Sequence, residues 1–221
     1  MCGRIVLASG YREKIKALFA DVEANQWLPP RYNIAPTQMV AAVRDSLPSQ
    51  IDWLRWGFPS LRTNQPPLIN ARSETAHELP SFRDFFRSHR CLVFADGFYE
   101  WKRDPSRPTP QPYFFSLKNQ PAFAIAALWQ KGDPDCCVLL TTEANTLMHP
   151  IHDRMPVIFT PQAGRLWLNP ETSESTLRAL LQPYPSAAMQ SHPVSTRVNR
   201  TSYDGEDLIN PVQIFEQGTL I

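Results

Sequence analysis

Four short clusters hold most of the residues in this 221-residue chain whose types and spacing could do chemistry. The first is Met1-Cys2-Gly3. Removal of an initiator Met before a small residue would leave Cys2 at the N-terminus, with an α-amine and a thiol on adjacent carbons. An α-amine titrates near about 7.7–8.0 against about 10.4 for Lys, so its free-base fraction at neutral pH is roughly a few hundred times larger. A free amine condenses with an aldehyde to an imine. The neighbouring thiol can then close on the imine carbon to give a five-membered thiazolidine. The thiol could instead attack a carbonyl alone, with the amine as its base. On position alone, residue 2 also reads as any small residue after the initiator.

The second cluster is Pro66-Pro67-Leu68-Ile69-Asn70-Ala71-Arg72-Ser73-Glu74-Thr75. Two prolines stiffen the approach, Asn70 offers donor and acceptor, and Arg72 a fork for phosphate. In isolation it also reads as a structural turn. The third is Phe94-Ala95-Asp96-Gly97-Phe98-Tyr99-Glu100-Trp101, where an apolar strand ends at Asp96-Gly97 and a carboxylate follows between aromatics. Desolvation there would raise the Glu100 pKa toward general acid–base work; the plainer reading is an outward-facing Glu on an alternating strand. The fourth is His149-Pro150-Ile151-His152-Asp153-Arg154-Met155-Pro156. It lacks the further ligands a metal would need, so His152 reads as a proton donor in a polar network. His192, in Ser191-His192-Pro193-Val194-Ser195, reads as structural.

The elements that must position these clusters follow from periodicity. Ile15, Leu18, Phe19 and Val22 predict an amphipathic helix over 11–24. Strands are predicted over 4–8, 39–43, 51–58, 91–94, 113–117, 122–129 and 136–142, and helices over 80–88, 161–168 and 174–181. Proline-rich segments at 29–36, 105–112 and 183–185 read as loops. Strands in succession with few helices between them indicate an α+β fold, with a largely antiparallel, barrel-like β core and flanking helices. Without repeats or low-complexity tails, one domain over 1–221 is the simplest organisation, with an acidic segment at about 201–221.

Composition narrows the function classes. Apolar residues are 43% and charged residues 19%, enough for a core. The longest apolar run, Ala122–Trp129, is far short of a membrane span. No apolar stretch follows Arg4, so no secretory signal is expected and the expected location is the cytoplasm. Net charge is +1, which excludes a globally basic coat but not a local basic patch. Residues 201–221 carry Asp204, Glu206, Asp207 and Glu216 without Lys or Arg, leaving the rest basic, with 17 Arg against 5 Lys. Cys2, Cys91, Cys136 and Cys137 show neither zinc nor disulfide spacing. Cys91 and Cys136 sit in apolar runs and read as buried small hydrophobes.

Taken together, the chain resembles the SRAP family (SOS response-associated peptidase), also called abasic-site processing proteins. The resemblance rests on an ordered set spanning residues 2–195. Its members are Cys2-Gly3-Arg4, Arg31-Tyr32-Asn33-Ile34-Ala35-Pro36, Trp56-Gly57, Pro67–Thr75, Phe94–Trp101, Ile151–Pro156 and His192-Pro193-Val194-Ser195. The resemblance implies a covalent reaction of Cys2 with the aldehyde of an abasic site in single-stranded DNA, giving a thiazolidine that shields the lesion from strand cleavage. It implies that Asn70 orients the sugar or the Cys2 amine, that Glu100 moves protons during imine formation and associated lyase chemistry, and that His152 helps open the deoxyribose ring and reverse the crosslink. Removal of Met1 would be obligatory, and the peptidase label would reflect self-removal of Met1. Arg4, Asn33, Pro36 and Arg72 match DNA-binding positions. No cofactor, metal or membrane is implied, and a monomer, nucleoid-associated when on DNA, is expected. One departure stands out. Many family members place base-wedging aromatics in the segment that here reads Phe58-Pro59-Ser60-Leu61-Arg62-Thr63-Asn64-Gln65, where Leu61 and Arg62 are the candidate substitutes.

Three alternatives stay open. An N-terminal-nucleophile amidohydrolase would also begin Met-Cys-Gly, but the Asn-Gly dipeptide of its oxyanion hole is absent. A noncovalent single-stranded nucleic-acid binder would tolerate Cys2→Ala. A protease acting on other proteins through Cys2 has no peptide-binding signature for or against it.

Overall fold

A computed structural model describes residues 2–19, 22–24, 26–44, 50–60 and 64–214. Met1, the end of the expected 11–24 helix at Ala20 and Asp21, Leu61 and Arg62, and Glu216 of the acidic segment lie outside the described residues.

The strands are β1 (Ile5–Leu7), β2 (Arg31–Ile34), β3 (Met39–Arg44), β4 (Asp52–Trp56), β5 (Asn70–Arg72), β6 (Arg90–Ala95), β7 (Gly97–Lys102), β8 (Gln111–Leu117), β9 (Phe123–Gln130), β10 (Cys136–Glu143), β11 (Arg154–Pro156), β12 (Ile158–Phe159) and β13 (Met189–Pro193). The helices are α1 (Tyr11–Leu18), α2 (Arg83–Ser88), α3 (Pro161–Leu168) and α4 (Glu174–Leu180). The α+β expectation holds. An all-antiparallel sheet runs β13-β8-β7-β1-β2. A larger sheet runs β11-β10-β4-β3-β6-β9-β12, and β9 also pairs with β10. That second pairing closes β4, β3, β6, β9 and β10 into a ring. Among the pairings of these thirteen strands, only those of β10 with β4 and β5 are parallel.

The ring explains why β6 and β9 read as unbroken apolar runs. Every residue of β6 and the first six of β9 are buried; a strand covered on both faces has no polar side to alternate. Thr160 and Ser173 cap α3 and α4 by accepting from Ala163 N and Thr176 N, and Pro161 opens α3.

Three local expectations are corrected. The helix expected over 11–24 ends at Leu18, and Glu23 forms a bridge with Gln50 instead. Val22 is buried as the helical spacing expects, but beyond the end of α1, with its N–H donating to Phe19 O at 3.1 Å. The proline-rich 29–36 segment is not all loop. Pro29 and Pro30 precede β2, which lies at the edge of the five-stranded sheet, where missing donors are tolerated. Asn70 stands at the start of β5 rather than in a turn, because the adjacent β10 offers it a ladder.

Candidate functional site

Backbone pairing assembles the site from three directions. β1 lies antiparallel to β7 with Ile5 opposite Phe98, and Tyr99 N donates to Arg4 O at 3.0 Å. That register carries the chain upstream of β1 alongside Glu100. β5 lies parallel to β10 with Asn70 opposite Leu139, and the backbone of Ile69 accepts from Leu139 N at 3.1 Å and from Trp56 Nε1 at 2.9 Å. β11 lies on the far stretch of β10, with Glu143 opposite Arg154. Glu74 and Arg154 then join the last two segments through two parallel bonds of 2.7 and 2.8 Å. Arg154 Nη2 also donates to the buried Thr141 carbonyl at 2.5 Å.

The side chains so placed meet. Asn70 Nδ2 donates to Cys2 O at 2.8 Å, and Asn70 Oδ1 is buried without a partner among the described residues. Cys2 is fully buried, so its thiol is held well above the usual range, first by desolvation and then by the charge of Glu100. The backbone N–H of Arg4 lies against the sulfur and opposes that shift. Glu100 is 2% exposed, which corrects the reading of an outward-facing strand carboxylate. Burial raises its pKa against the positive charge around it, that of His152 included. His152 N donates to Met148 O at 3.0 Å, and His152 Nδ1 accepts from Arg154 N at 3.0 Å. In the neutral ring that bond places the proton on Nε2. If protonated, the ring would instead turn Nδ1–H toward Asp153 Oδ1, 3.0 Å away.

The residues expected to meet DNA divide. Arg72 is exposed, and Pro36 is half-buried in the turn that closes from Ala35 to Gln38. That turn carries Thr37 in the left-handed region at φ 73°, its N–H donating to Trp56 O at 2.7 Å. Arg4 is half-buried and lies over the Trp101 ring at 5.8 Å. Asn33 is fully buried, with Nδ2 facing the carbonyls of Val198, Arg200 and Tyr203 at 3.2, 3.0 and 2.8 Å. His192 is structural as read, with Nε2 donating to Ile209 O at 2.8 Å and its ring near Phe114.

Sequence reasoning missed the Glu74–Arg154 pair, although both residues lie inside recognised clusters. It also missed Asp96, which is buried and accepts from Ala8 N at 2.7 Å and Lys14 Nζ at 2.9 Å. Burial raises its pKa, and Lys14 opposes the shift. Among the described residues no group of three or more His, Cys, Asp and Glu could hold a metal ion, and no helix is long and apolar enough to cross a membrane.

The sequence model of the SOS response associated peptidase (SRAP) family matches residues 1–201. The abasic site processing protein YoqW of Bacillus subtilis is 40% identical over 227 residues, 95% of this chain and 99% of that one. The abasic site processing protein YedK of Escherichia coli is 32% identical over 224 residues, 96% and 100% of the two chains. Among solved structures, a protein of Bacteroides thetaiotaomicron shares the fold with a TM-score of 0.81 at 20% identity, covering 96% of this chain and all of that one. A phage-related protein of Bordetella bronchiseptica aligns with a TM-score of 0.73 at 27% identity, over 87% of this chain and 94% of its own. With a match running from Met1 through every cluster of the site, this chain belongs to the SOS response associated peptidase family.

Proposed function

We propose that this chain processes abasic sites in single-stranded DNA by linking Cys2 covalently to the sugar aldehyde once Met1 has been removed. The observation that carries the reading is the meeting of Cys2 with Asn70 and with the buried Glu100. The names of the relatives from Bacillus subtilis and Escherichia coli point the same way.

An abasic sugar is mostly a closed hemiacetal, so an acid–base pair must open it before an amine can attack. In this reading His152, with its proton on Nε2, supplies the acid for that step. The Cys2 amine then adds to the aldehyde carbon. Glu100, whose raised pKa keeps a proton available nearer neutrality, gives it to the departing hydroxyl, and one water leaves as the imine forms. The thiol adds across the imine: the sulfur–carbon bond forms and the thiol proton passes to nitrogen, closing the thiazolidine. Burial holds that proton on sulfur, so the amine acts first. Asn70 fixes the Cys2 backbone through Nδ2 and presents Oδ1 to the incoming amine or sugar hydroxyl.

The test is an oligonucleotide bearing one abasic site, incubated with protein whose Met1 loss has been checked by mass spectrometry and then run on a denaturing gel. A heat-stable shifted band that disappears in Cys2→Ala is expected. A processed protein that gives no such band overturns the reading and directs attention to a glutaminase assay.

A further inference from the structure

The segment after β13 packs on the face of the five-stranded sheet that carries Val6, Tyr99 and Phe114, and it reaches Arg4 at Val198. Val194, Val198 and Leu208 pack with Val6, Ala8, Tyr32, Tyr99 and Phe114 in a cluster separate from the main core. Asp204 fastens this strap to β2, accepting from Tyr32 N at 2.7 Å and from Arg31 Nε. Further along, Val212 N donates to Pro193 O at 2.9 Å. The family match ends at residue 201, so part of the fastening lies beyond it.

At its near end the strap holds Arg4. Nη1 donates to Val198 O at 2.7 Å and to Asn33 Oδ1 at 3.3 Å, while Asn33 Nδ2 faces the same Val198 carbonyl and two others of the strap. All these acceptors are neutral. Arg31, Arg44, Arg154 and Arg197 each face a carboxylate, whereas Arg4 faces none among the described residues. Its Nε and Nη2 also donate to nothing there. The guanidinium is thus oriented without being neutralised, on a residue whose backbone N–H lies against the Cys2 sulfur. A half-buried, uncompensated fork is a receptor for an oxyanion.

We propose that Asn33 and the strap carbonyls at 198–203 are positioning groups that hold the Arg4 guanidinium as an uncompensated cation over Trp101, two residues along the chain from Cys2, so that it binds a phosphate of the strand whose abasic sugar Cys2 engages. This rests on the abasic-site reading above. Asn33 acts through Arg4 and touches no DNA, and the strap is part of the substrate site. An Asp at position 33 would keep an acceptor for Nη1 but neutralise the guanidinium and turn a negative charge toward three carbonyls.

The experiment measures binding of a single-stranded oligonucleotide carrying a tetrahydrofuran abasic analogue, which has no aldehyde, across a salt series. Wild type, Arg4→Met, Asn33→Asp, their double variant and Arg4→Lys are compared, with thermal melts as a fold check. Losing one phosphate contact lowers the slope of log K against log salt by about 0.7 for single strands. Arg4→Met and Asn33→Asp are each expected to lose that slope and about tenfold in affinity, and the double variant is expected to bind no worse than Arg4→Met. A folded Asn33→Asp with the wild-type slope, or losses that simply add, overturns the proposal. Arg4→Lys decides the matter if Asn33→Asp does not fold. It keeps the charge but loses the fork, so wild-type affinity there shows that charge alone suffices and overturns positioning; a loss like that of Arg4→Met supports it. Absence of a heat-stable adduct with an authentic abasic oligonucleotide would overturn the covalent reading alone, since the analogue arms still report on Arg4 and Asn33.

Discussion

Burial works on Cys2 and Glu100 in the same direction, holding a proton on each. For Glu100 this has a stability consequence with a definite sign. The folded state binds its proton more tightly than the unfolded chain, whose carboxyl titrates near 4.5. The stability from the protonated form is therefore complete below that value and lost as pH rises through the raised folded pKa. Glu100→Gln removes the cost of the buried charge. Thermal melts should show it more stable than wild type at pH 8, with the advantage shrinking toward pH 4. Adduct formation by the same variant should slow about 10²–10⁴-fold, the usual worth of a positioned acid–base group. Asn70→Ala strips the bond to Cys2 O and the buried acceptor Oδ1. A loss of about 1–3 kcal/mol there corresponds to roughly 5–150-fold in adduct rate, checked by single-turnover gels.

At the scale of elements, two features fix how the site-bearing strands lie. Gly97 opens β7, and a Cβ there would come within 2.3 Å of the Phe114 ring and 2.6 Å of Phe115 O. Gly97→Ala should cost about 1–3 kcal/mol in denaturant unfolding and slow adduct formation, because the β7–β8 pairing must spread to admit the methyl and β7 carries Glu100. Arg90 is the second feature. It is 1% exposed, and its guanidinium donates to Phe86 O and Arg87 O in the last turn of α2 and to Trp167 O and Asn169 O at the end of α3. Helix C-termini leave carbonyls unpaired and carry partial negative charge, so one fork satisfies two helices at once. Arg90→Met should cost about 3–5 kcal/mol, and Arg90→Lys should recover only part of it, since an ammonium does not reproduce the planar fork. The long buried strands β6, β9 and β10 were legible within a residue or two, because continuous apolar runs have no other stable use. The short strands β2, β5, β11 and β12 were not, since each is defined by its partner's ladder rather than by its own periodicity.

For the whole molecule, net charge near zero conceals how the arginines are spent. Arg31, Arg44, Arg154 and Arg197 neutralise carboxylates within the protein, and Arg90 is committed to carbonyls. Arg4, Arg55 and Arg72, on or beside β1, β4 and β5, are among the arginines with no carboxylate partner among the described residues. Three phosphate contacts would give a salt slope of about −2 on single-stranded DNA, shallow beside that of a protein with a broad basic face. Titrating an abasic-analogue oligonucleotide over a range of salt concentrations checks this. A slope two or three times steeper would mean that basic residues elsewhere also engage the strand.

The residue types of the site were determined by sequence alone. Cys2, Asn70, Glu100 and His152 each fall in a cluster with a chemical rationale, and their order along the chain carried the family resemblance. Tertiary structure decided their environments. Whether Glu100 faces water or the core depends on the β1–β7 register, and no local pattern encodes a strand paired to a segment almost a hundred residues away. Asn33 shows the same limit from the other side. Its place in a motif marked it for DNA, but its burial beneath a strap some 165 residues further on commits its amide to protein carbonyls. A side chain's chemistry is local, whereas its solvation and hydrogen-bond partners belong to whichever elements the fold brings over it.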